Sequence, residues 1–268
     1  MPVKYAAKDL ALPGELFGIP FALRHDPPTC GRVATTPCTK GFPLPSVLIS
    51  GANRGIGLEF ARQYAAEGWT VHATVRNPED PAEIKSFGHN VSVHRLEVTD
   101  AGSIAALAAS LGGVPIDVLI ANAGLPGDTT PLEGIERAEL LRVMAVNSFA
   151  PLALATALLP NLEAGQMKIA AAMSSLMSSI GSNNWGTQSV YRASKTALNV
   201  IWASLATEWR ARKVACVLLR PGIVKTRMTG FTGLDPEESV GGMRRVLARI
   251  TFADSGRLIG YDGKDVPW

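Results

Sequence analysis

Short apolar runs alternate with longer segments of helical periodicity along most of this chain. The apolar runs lack the strict alternation of a half-exposed strand, which is typical of parallel strands buried on both faces. Strands are predicted at residues 46–50, 70–76, 91–96, 116–121, 167–174, 214–219 and 257–259, and helices at 55–67, 101–111, 136–159, 190–212 and 237–250. This order indicates βαβ units, and so an α/β fold with a doubly wound, mostly parallel sheet covered by helices on both faces.

The first 45 residues show neither the helical nor the strand pattern of apolar positions. Eight of the 18 prolines lie there, and proline breaks helices and removes backbone donors. We interpret residues 1–45 as a proline-rich, irregular N-terminal extension. Residues 46–268 are predicted to form a single domain, which carries every strand and helix named above.

Composition narrows the class of protein. Apolar residues make up 47% of the chain, which excludes wholesale disorder, and a net charge of +3 without a Lys/Arg cluster argues against nucleic-acid binding. Three cysteines are too few for a disulfide scaffold, so we expect a reducing, cytoplasmic setting. The four histidines show no ligand spacing, and no metal site is predicted.

Residues 143–160 form an apolar stretch of nearly the length of a membrane-spanning helix. It is interrupted by Asn147, Ser148 and Pro151, so a membrane span is not expected. A helix that is apolar on several faces is more often buried in the core or against another subunit.

A glycine-rich turn follows the first predicted strand at once. Gly51, Gly55 and Gly57 stand between that strand and a helix, with Asn53, Arg54 and Ile56 among them. In this context glycines let the backbone approach a pyrophosphate, and the helix N-terminus offers free N–H groups to the anion. The turn is therefore interpreted as a dinucleotide site.

The spacing Gly-x-x-x-Gly-x-Gly resembles that of the short-chain dehydrogenase/reductase family, and further motifs follow in order. They are Asn122-Ala123-Gly124 after an apolar strand, Asn147 in the long helix, Tyr191-x-x-x-Lys195, and Pro221-Gly222 with Thr226. The stretches from Ser174 and from Tyr191 to Asn199 resemble the C-factor and sniffer-type carbonyl reductase branch. The resemblance implies a Rossmann-type fold and a homodimer or homotetramer.

The resemblance also implies a set of cofactor-binding residues. These are Gly51, Asn53, Arg54, Gly55, Ile56, Gly57, Arg76, Glu97, Val98, Asn122, Ala123, Gly124, Tyr191, Lys195, Pro221, Gly222, Val224 and Thr226. An acidic residue after the second strand would bind the ribose of NAD, but Val75 stands there. Arg54 and Arg76 could flank a 2′-phosphate instead, so NADP(H) is the expected cofactor.

Tyr191 and Lys195 are four residues apart and share one face of a predicted helix. A neighbouring ammonium lowers the pKa of a phenol, which suits acid–base exchange with a carbonyl oxygen. By the resemblance, Tyr191 donates the proton, Lys195 also binds the nicotinamide ribose, and Asn147 holds a water that links Lys195 to solvent.

Several serines are candidates for the residue that acts together with Tyr191 and Lys195. Family spacing points near Ser178 or Ser179, whereas the end of the strand points to Ser174 or Ser175. We predict Ser175, which would support the developing oxyanion. Ile223, Met228, Phe231 and Trp185 are candidate apolar walls for the substrate.

The sequence therefore predicts an NADPH-dependent enzyme that reduces a small aldehyde or ketone to an alcohol. Two alternatives stay open. One is a C-factor-like signalling or regulatory protein that retains the cofactor-binding fold, and the other is a dehydrogenase that works oxidatively with NAD.

Overall fold

The fold is described from a computed structural model, which covers residues 44–78, 82–127 and 129–268. The predicted extension lies almost wholly outside these residues. The boundary between an extension at 1–45 and a domain at 46–268 therefore stays a prediction.

A seven-stranded parallel sheet forms the centre of the molecule. Its strands are β1 (Ser46–Ser50), β2 (Thr70–Val75), β3 (Val91–Arg95), β4 (Val118–Ala121), β5 (Ile169–Met173), β6 (Ala215–Arg220) and β7 (Leu258–Gly260). They lie in the order β3-β2-β1-β4-β5-β6-β7, and every pair is parallel. The chain first extends the sheet in one direction and then returns past β1, so the order reverses between β1 and β4. The predicted doubly wound fold is confirmed.

Helices cover both faces of this sheet. They are α1 (Gly55–Ala66), α2 (Ala82–Lys85), α3 (Ala101–Leu111), α4 (Arg137–Met144), α5 (Ala150–Ala157), α6 (Leu159–Ala164), α7 (Ser189–Glu208) and α8 (Pro236–Leu247). One core layer takes Ile104 from α3, Leu154 from α5 and Trp202 from α7. The opposite layer takes Phe60 from α1 and Met243 from α8. The short helix α2 was not predicted, because four residues are too few to show a period.

The predicted long helix at 136–159 differs from the observed path. Between α4 and α5 the backbone forms a π-helical turn over Ala145–Phe149. The physical reason stands in the sequence: Pro151 has no N–H to bond the carbonyl of Asn147, as an α-helix would require. The wider turn places the buried side chain of Asn147 at the site described below.

The same helical run, Arg137–Ala157, is long and apolar enough to cross a membrane by length and composition alone, with a mean hydropathy of 1.5. No other helix in the described ranges passes this test. Its inner side is part of the core, where Leu154 and Ala155 are fully buried. The core helix of a soluble protein meets the same criteria, so length and composition alone do not indicate a membrane span here.

Two histidines, His72 on β2 and the half-buried His94 on β3, lie side by side. Nδ1 of His72 in β2 lies 3.1 Å from Nε2 of His94 in β3, and Nε2 of His72 has no hydrogen-bond partner within the described structure. Burial, and secondarily the nearby His94, lower the pKa of His72 to about 4, and burial also lowers the pKa of His94. The imidazoles of His72 and His94 are therefore protonated less readily in the folded protein than in the unfolded chain.

We predict that acid destabilises the protein through His72. The neutral form is favoured in the fold, so its contribution is complete above pH 6.5 and is lost as the pH falls from 6.5 towards 4. The loss amounts to at most about 3 kcal/mol. Urea unfolding across this range should show a shallower decline for His72→Gln than for the wild type. His89→Gln, at an exposed histidine, is the control and should follow the wild type; an unchanged slope in His72→Gln would refute the prediction.

Candidate active site

The glycine turn lies where the order of the strands reverses, at the carboxyl end of β1. Gly51 and Gly55 adopt φ values of +68° and +55°, which side chains rarely tolerate. Gly57 is required for a different reason. A Cβ there would lie 2.2 Å from the carbonyl oxygen of Gly51 and 2.6 Å from Nδ2 of Asn122. The first residues of α1 therefore pack directly against the backbone of the glycine turn.

A set of hydrogen bonds joins this turn to the end of β4. Asn122 Nδ2 donates to the carbonyl oxygens of Ser50 (3.0 Å) and Gly51 (3.2 Å). In return, the Ser50 hydroxyl accepts from the N–H groups of Asn122 (2.9 Å) and Ala123 (3.1 Å). Ser50 is not among the site residues that the sequence predicts. The available signal was a polar residue that ends an apolar strand immediately before the glycines.

The two arginines predicted to bind phosphate stand at neighbouring strand ends. Arg54 is the residue before α1, and Arg76 directly follows β2; both are exposed. Neither forms an ion pair within the described residues. The first turn of α1 contains no acidic residue. The electrostatic field at the turn therefore favours an anion.

Glu97 and Val98 follow β3, as predicted, but they face different surroundings. The Glu97 carboxylate accepts hydrogen bonds from the N–H and hydroxyl of Thr99 (3.2 and 2.9 Å), so it caps its own loop. Val98 lines a small cavity beside Ala123 and Ser50. Of the two residues, Val98 is therefore placed closer to the glycine turn.

The loop after β6 covers the turn from the other side. The methyl carbon Cγ2 of Thr226 lies 3.2 Å from the point where a Cβ on Gly55 would stand. Gly222 has a φ of +82° and packs on Leu234, while Val224 is buried and pairs with Leu234 as an isolated bridge. Pro221 accepts a hydrogen bond at its carbonyl from the Ser239 hydroxyl of α8 (2.6 Å).

The predicted apolar walls are open to solvent. The exposed fractions are 68% for Ile223, 48% for Met228, 67% for Phe231 and 46% for Trp185. Such exposure in large apolar side chains marks a surface that a ligand or another chain can cover.

Tyr191 and Lys195 lie on the first turns of α7. Lys195 is buried, its Nζ donates to the carbonyl oxygen of Met173 (2.8 Å), and this nitrogen lies 5.8 Å from the centre of the Tyr191 ring. Burial lowers the pKa of Lys195 to about 8 and raises the pKa of Tyr191 to about 12. A hydrogen bond with Ser175 opposes the rise in the pKa of Tyr191.

The structure brings Ser175, rather than its neighbours, to the tyrosine. Ser175 is the second residue after β5. Its hydroxyl lies close enough to the Tyr191 phenol to lower the pKa of that group, and it accepts a hydrogen bond from the N–H of Met177 (3.1 Å). Ser174 and Ser178 are buried and bonded to Asn199. Ser179 donates to the carbonyl oxygen of Trp268 (3.3 Å). These three serines hold the loop, whereas Ser175 borders the reactive group.

Asn147, in the π-helical turn, joins the loop after β4 to helix α7. Its Oδ1 accepts from the N–H of Leu125 (2.8 Å), and its Nδ2 donates to the carbonyl of Leu125 (2.9 Å) and the hydroxyl of Ser194 (3.0 Å). A Cβ on Gly124 would lie 3.3 Å from Asn147 Oδ1 and 3.7 Å from Lys195 Nζ. Asn147 thus fixes the loop after β4 beside the lysine.

Fold and site together define a Rossmann-type nucleotide-binding oxidoreductase, with a glycine turn at the switch point and a Ser-Tyr-Lys group at the neighbouring strand ends. Residues 45–236 match the short chain dehydrogenase family, and the chain belongs to that family.

Individual relatives give the same result. C-signal from Myxococcus xanthus is 39% identical over 155 residues, which are 58% of this chain and 93% of the relative. An NADPH-bound carbonyl reductase from chicken fatty liver is 34% identical, with a TM-score of 0.77 over 85% of this chain and all of that one. The carbonyl reductase Sniffer of D. melanogaster is 28% identical, with a TM-score of 0.77 over 84% of this chain and all of that one. The resemblance to the C-factor and sniffer-type branch is confirmed.

The close packing of Gly57 gives a direct test of the turn. We predict that Gly57→Ala lowers the free energy of unfolding by about 1–3 kcal/mol, because the added methyl forces the turn and Asn122 apart. Urea denaturation measures the effect. Gly113→Ala is the matched control, since a Cβ there meets nothing within 4 Å. Equal stability of the two variants would contradict the packing described here.

Proposed function

We propose that this protein is an NADPH-dependent reductase of small aldehydes or ketones. The observation that carries the proposal is the placement of Ser175, Tyr191 and the buried Lys195 together, at the edge of the sheet that holds the glycine turn. Carbonyl reductases with the same fold support it.

The residues at the glycine turn fit a dinucleotide. The turn's three glycines leave room for the ligand, and the first turn of α1 contains no acidic residue. Arg54 and Arg76 are exposed, and their guanidinium groups can form charge-assisted hydrogen bonds with a 2′-phosphate. Solved relatives are described as bound to NADPH or NADP. When bound, the cofactor supplies the hydride; the other residues of the predicted set, from Asn122-Ala123-Gly124 to Val224 and Thr226, shape its cleft.

Tyr191 is placed to give its proton to the carbonyl oxygen of the substrate. Burial holds its pKa above the usual value, so the phenol is protonated at neutral pH, as reduction requires. Ser175 can donate a hydrogen bond to the same oxygen as negative charge develops there. Lys195 would bind the ribose of the cofactor and, as an ammonium held against the Met173 carbonyl, would stabilise the phenolate that remains.

Asn147 has a supporting part in the proposal. Its two amide atoms bond the backbone of Leu125 and the Ser194 hydroxyl, which leaves Oδ1 with one further lone pair near Lys195. A water held there would link the ammonium to solvent and return the proton to the site.

We also infer a cytoplasmic homodimer or homotetramer. Phe149 in the helical run Arg137–Ala157 and Val200 on α7 are 63% and 62% exposed, which leaves apolar side chains on two helices for another copy to cover.

Tyr191→Phe tests the chemistry. The variant should lose about 10²–10⁴-fold in carbonyl-dependent NADPH oxidation, because the proton donor is gone, while NADPH affinity by fluorescence titration stays the same. Tyr64→Phe, which removes a buried phenol on α1, is the control and should keep full turnover. If Tyr191→Phe retains the rate, the assigned acid is wrong; a biological activity that survives without turnover would favour the signalling alternative.

Arg76→Met tests the choice of cofactor. Removing one guanidinium from the 2′-phosphate should weaken NADPH binding about 10–100-fold and leave NADH binding unchanged, since charge-assisted bonds of this kind are worth about 1.5–3 kcal/mol. Titration of both cofactors measures the effect, with Arg210→Met, at an exposed arginine after α7, as the control. A wild-type preference for NADH would overturn the assignment and favour an oxidative, NAD-dependent enzyme.

A further inference from the structure

Ser175 lies outside β5, so its position depends on how the following loop is held. This loop, which we call the serine loop, comprises residues 174–188 and joins β5 to α7. Its first end carries Ser175, and its last residues lead into the helix turn that bears Tyr191. A shift of the loop would separate the serine hydroxyl from the phenol.

Helix α7 presents a second polar stripe beside the one that carries Tyr191 and Lys195. Arg192, Thr196 and Asn199 recur at helical spacing, and all three bond the start of the serine loop. Thr196 Oγ1 donates to the carbonyl of Ser178 (2.9 Å), and Asn199 Nδ2 donates to the Ser178 hydroxyl (2.8 Å). Arg192 Nη1 reaches the carbonyl of Met177 at 3.5 Å.

Arg192 differs from the other two because it contacts both ends of the loop. Its Nε donates to the carbonyl of Thr187 (2.6 Å), and its guanidinium carbon lies 4.4 Å from the centre of the Trp185 ring. The side chain thus spans from Met177, two residues after Ser175, to Thr187, four residues before Tyr191. Trp185 stacks over it as a cover.

The burial of Arg192 is unusual for a cation. The residue is 6% exposed, Nη2 has no hydrogen-bond partner, and no carboxylate pairs with it in the described part of the chain. Desolvating a guanidinium that has no counter-ion is unfavourable, so its burial alone does not stabilise the fold. The contribution of Arg192 to the fold is therefore one of geometry.

We propose that Arg192 is a positioning residue that clamps both ends of the serine loop to α7 and so keeps the Ser175 hydroxyl beside Tyr191. This inference rests on the proposed reductase function for its catalytic consequence. Its structural part concerns the loop alone and can be measured without turnover.

The test compares Arg192→Met with the wild type in the full chain. Amide hydrogen exchange of residues 175–187 should become at least several-fold faster, and kcat for carbonyl reduction should fall about 10–100-fold, because small displacements of reacting groups have effects of that size. NADPH affinity should stay within about twofold, since the clamp bonds neither the glycine turn nor the two phosphate-binding arginines.

Two further variants keep the result interpretable. Thr196→Val removes a single bond from the same loop and should change exchange and kcat in the same direction by a smaller factor, which also serves if Arg192→Met fails to fold. Arg210→Met, at an exposed arginine beyond the end of α7, should leave both unchanged. Unchanged loop exchange in Arg192→Met and Thr196→Val would overturn the proposal, as would a loss of NADPH affinity as large as the loss of kcat. A wild type without carbonyl turnover would count against the reductase function, and loop exchange would still decide whether Arg192 is the clamp.

Discussion

The site depends on the close contact between the ends of β1 and β4. Gly57 lets α1 begin directly against the carbonyl of Gly51, and Asn122 bonds the same backbone from the neighbouring strand. Ser50 accepts two N–H groups of the β4 end in return. Because the order of the strands reverses between β1 and β4, a crevice opens there, and these contacts fix its floor. A Cβ at Gly57 would disrupt the whole arrangement.

Helix α7 brings the reactive side chains to this crevice and also holds the loop that faces them. One stripe carries Tyr191 and Lys195, and the adjacent stripe bonds the serine loop. A single rigid helix can therefore set the distance between the phenol and the serine hydroxyl. Asn147 does the equivalent for the loop after β4, and it can do so because a π-helical turn widens the helix around it. In both places, side chains of a helix hold the backbone of a neighbouring loop by hydrogen bonds.

Much of the site was predictable because its residues are tied to local signals. The glycines follow a strand and open a helix, and Tyr191 and Lys195 share a helix face, so their placement follows from secondary structure alone. Ser50 was missed because a single hydroxyl at a strand end has no distinctive spacing. The roles of Arg192, Thr196 and Asn199 were missed for a related reason, since polar residues at helical spacing more often form a solvated surface. Glu97 was expected near the cofactor, but it bonds Thr99 in its own loop.

The sequence by itself determined the order of strands and helices, the parallel sheet and the turn at the end of β1, because periodicity and glycine spacing are local properties of the chain. Only the tertiary structure shows how the contacts of the four serines differ. Ser174, Ser175, Ser178 and Ser179 are equivalent as sequence letters, and their separation comes from contacts with residues distant in the chain. Asn199 forms hydrogen bonds with Ser174 and Ser178, and the carbonyl of Trp268 accepts one from Ser179. Ser175 remains directed at Tyr191, because a hydroxyl's partner is set by what packs around it and not by its place in the sequence.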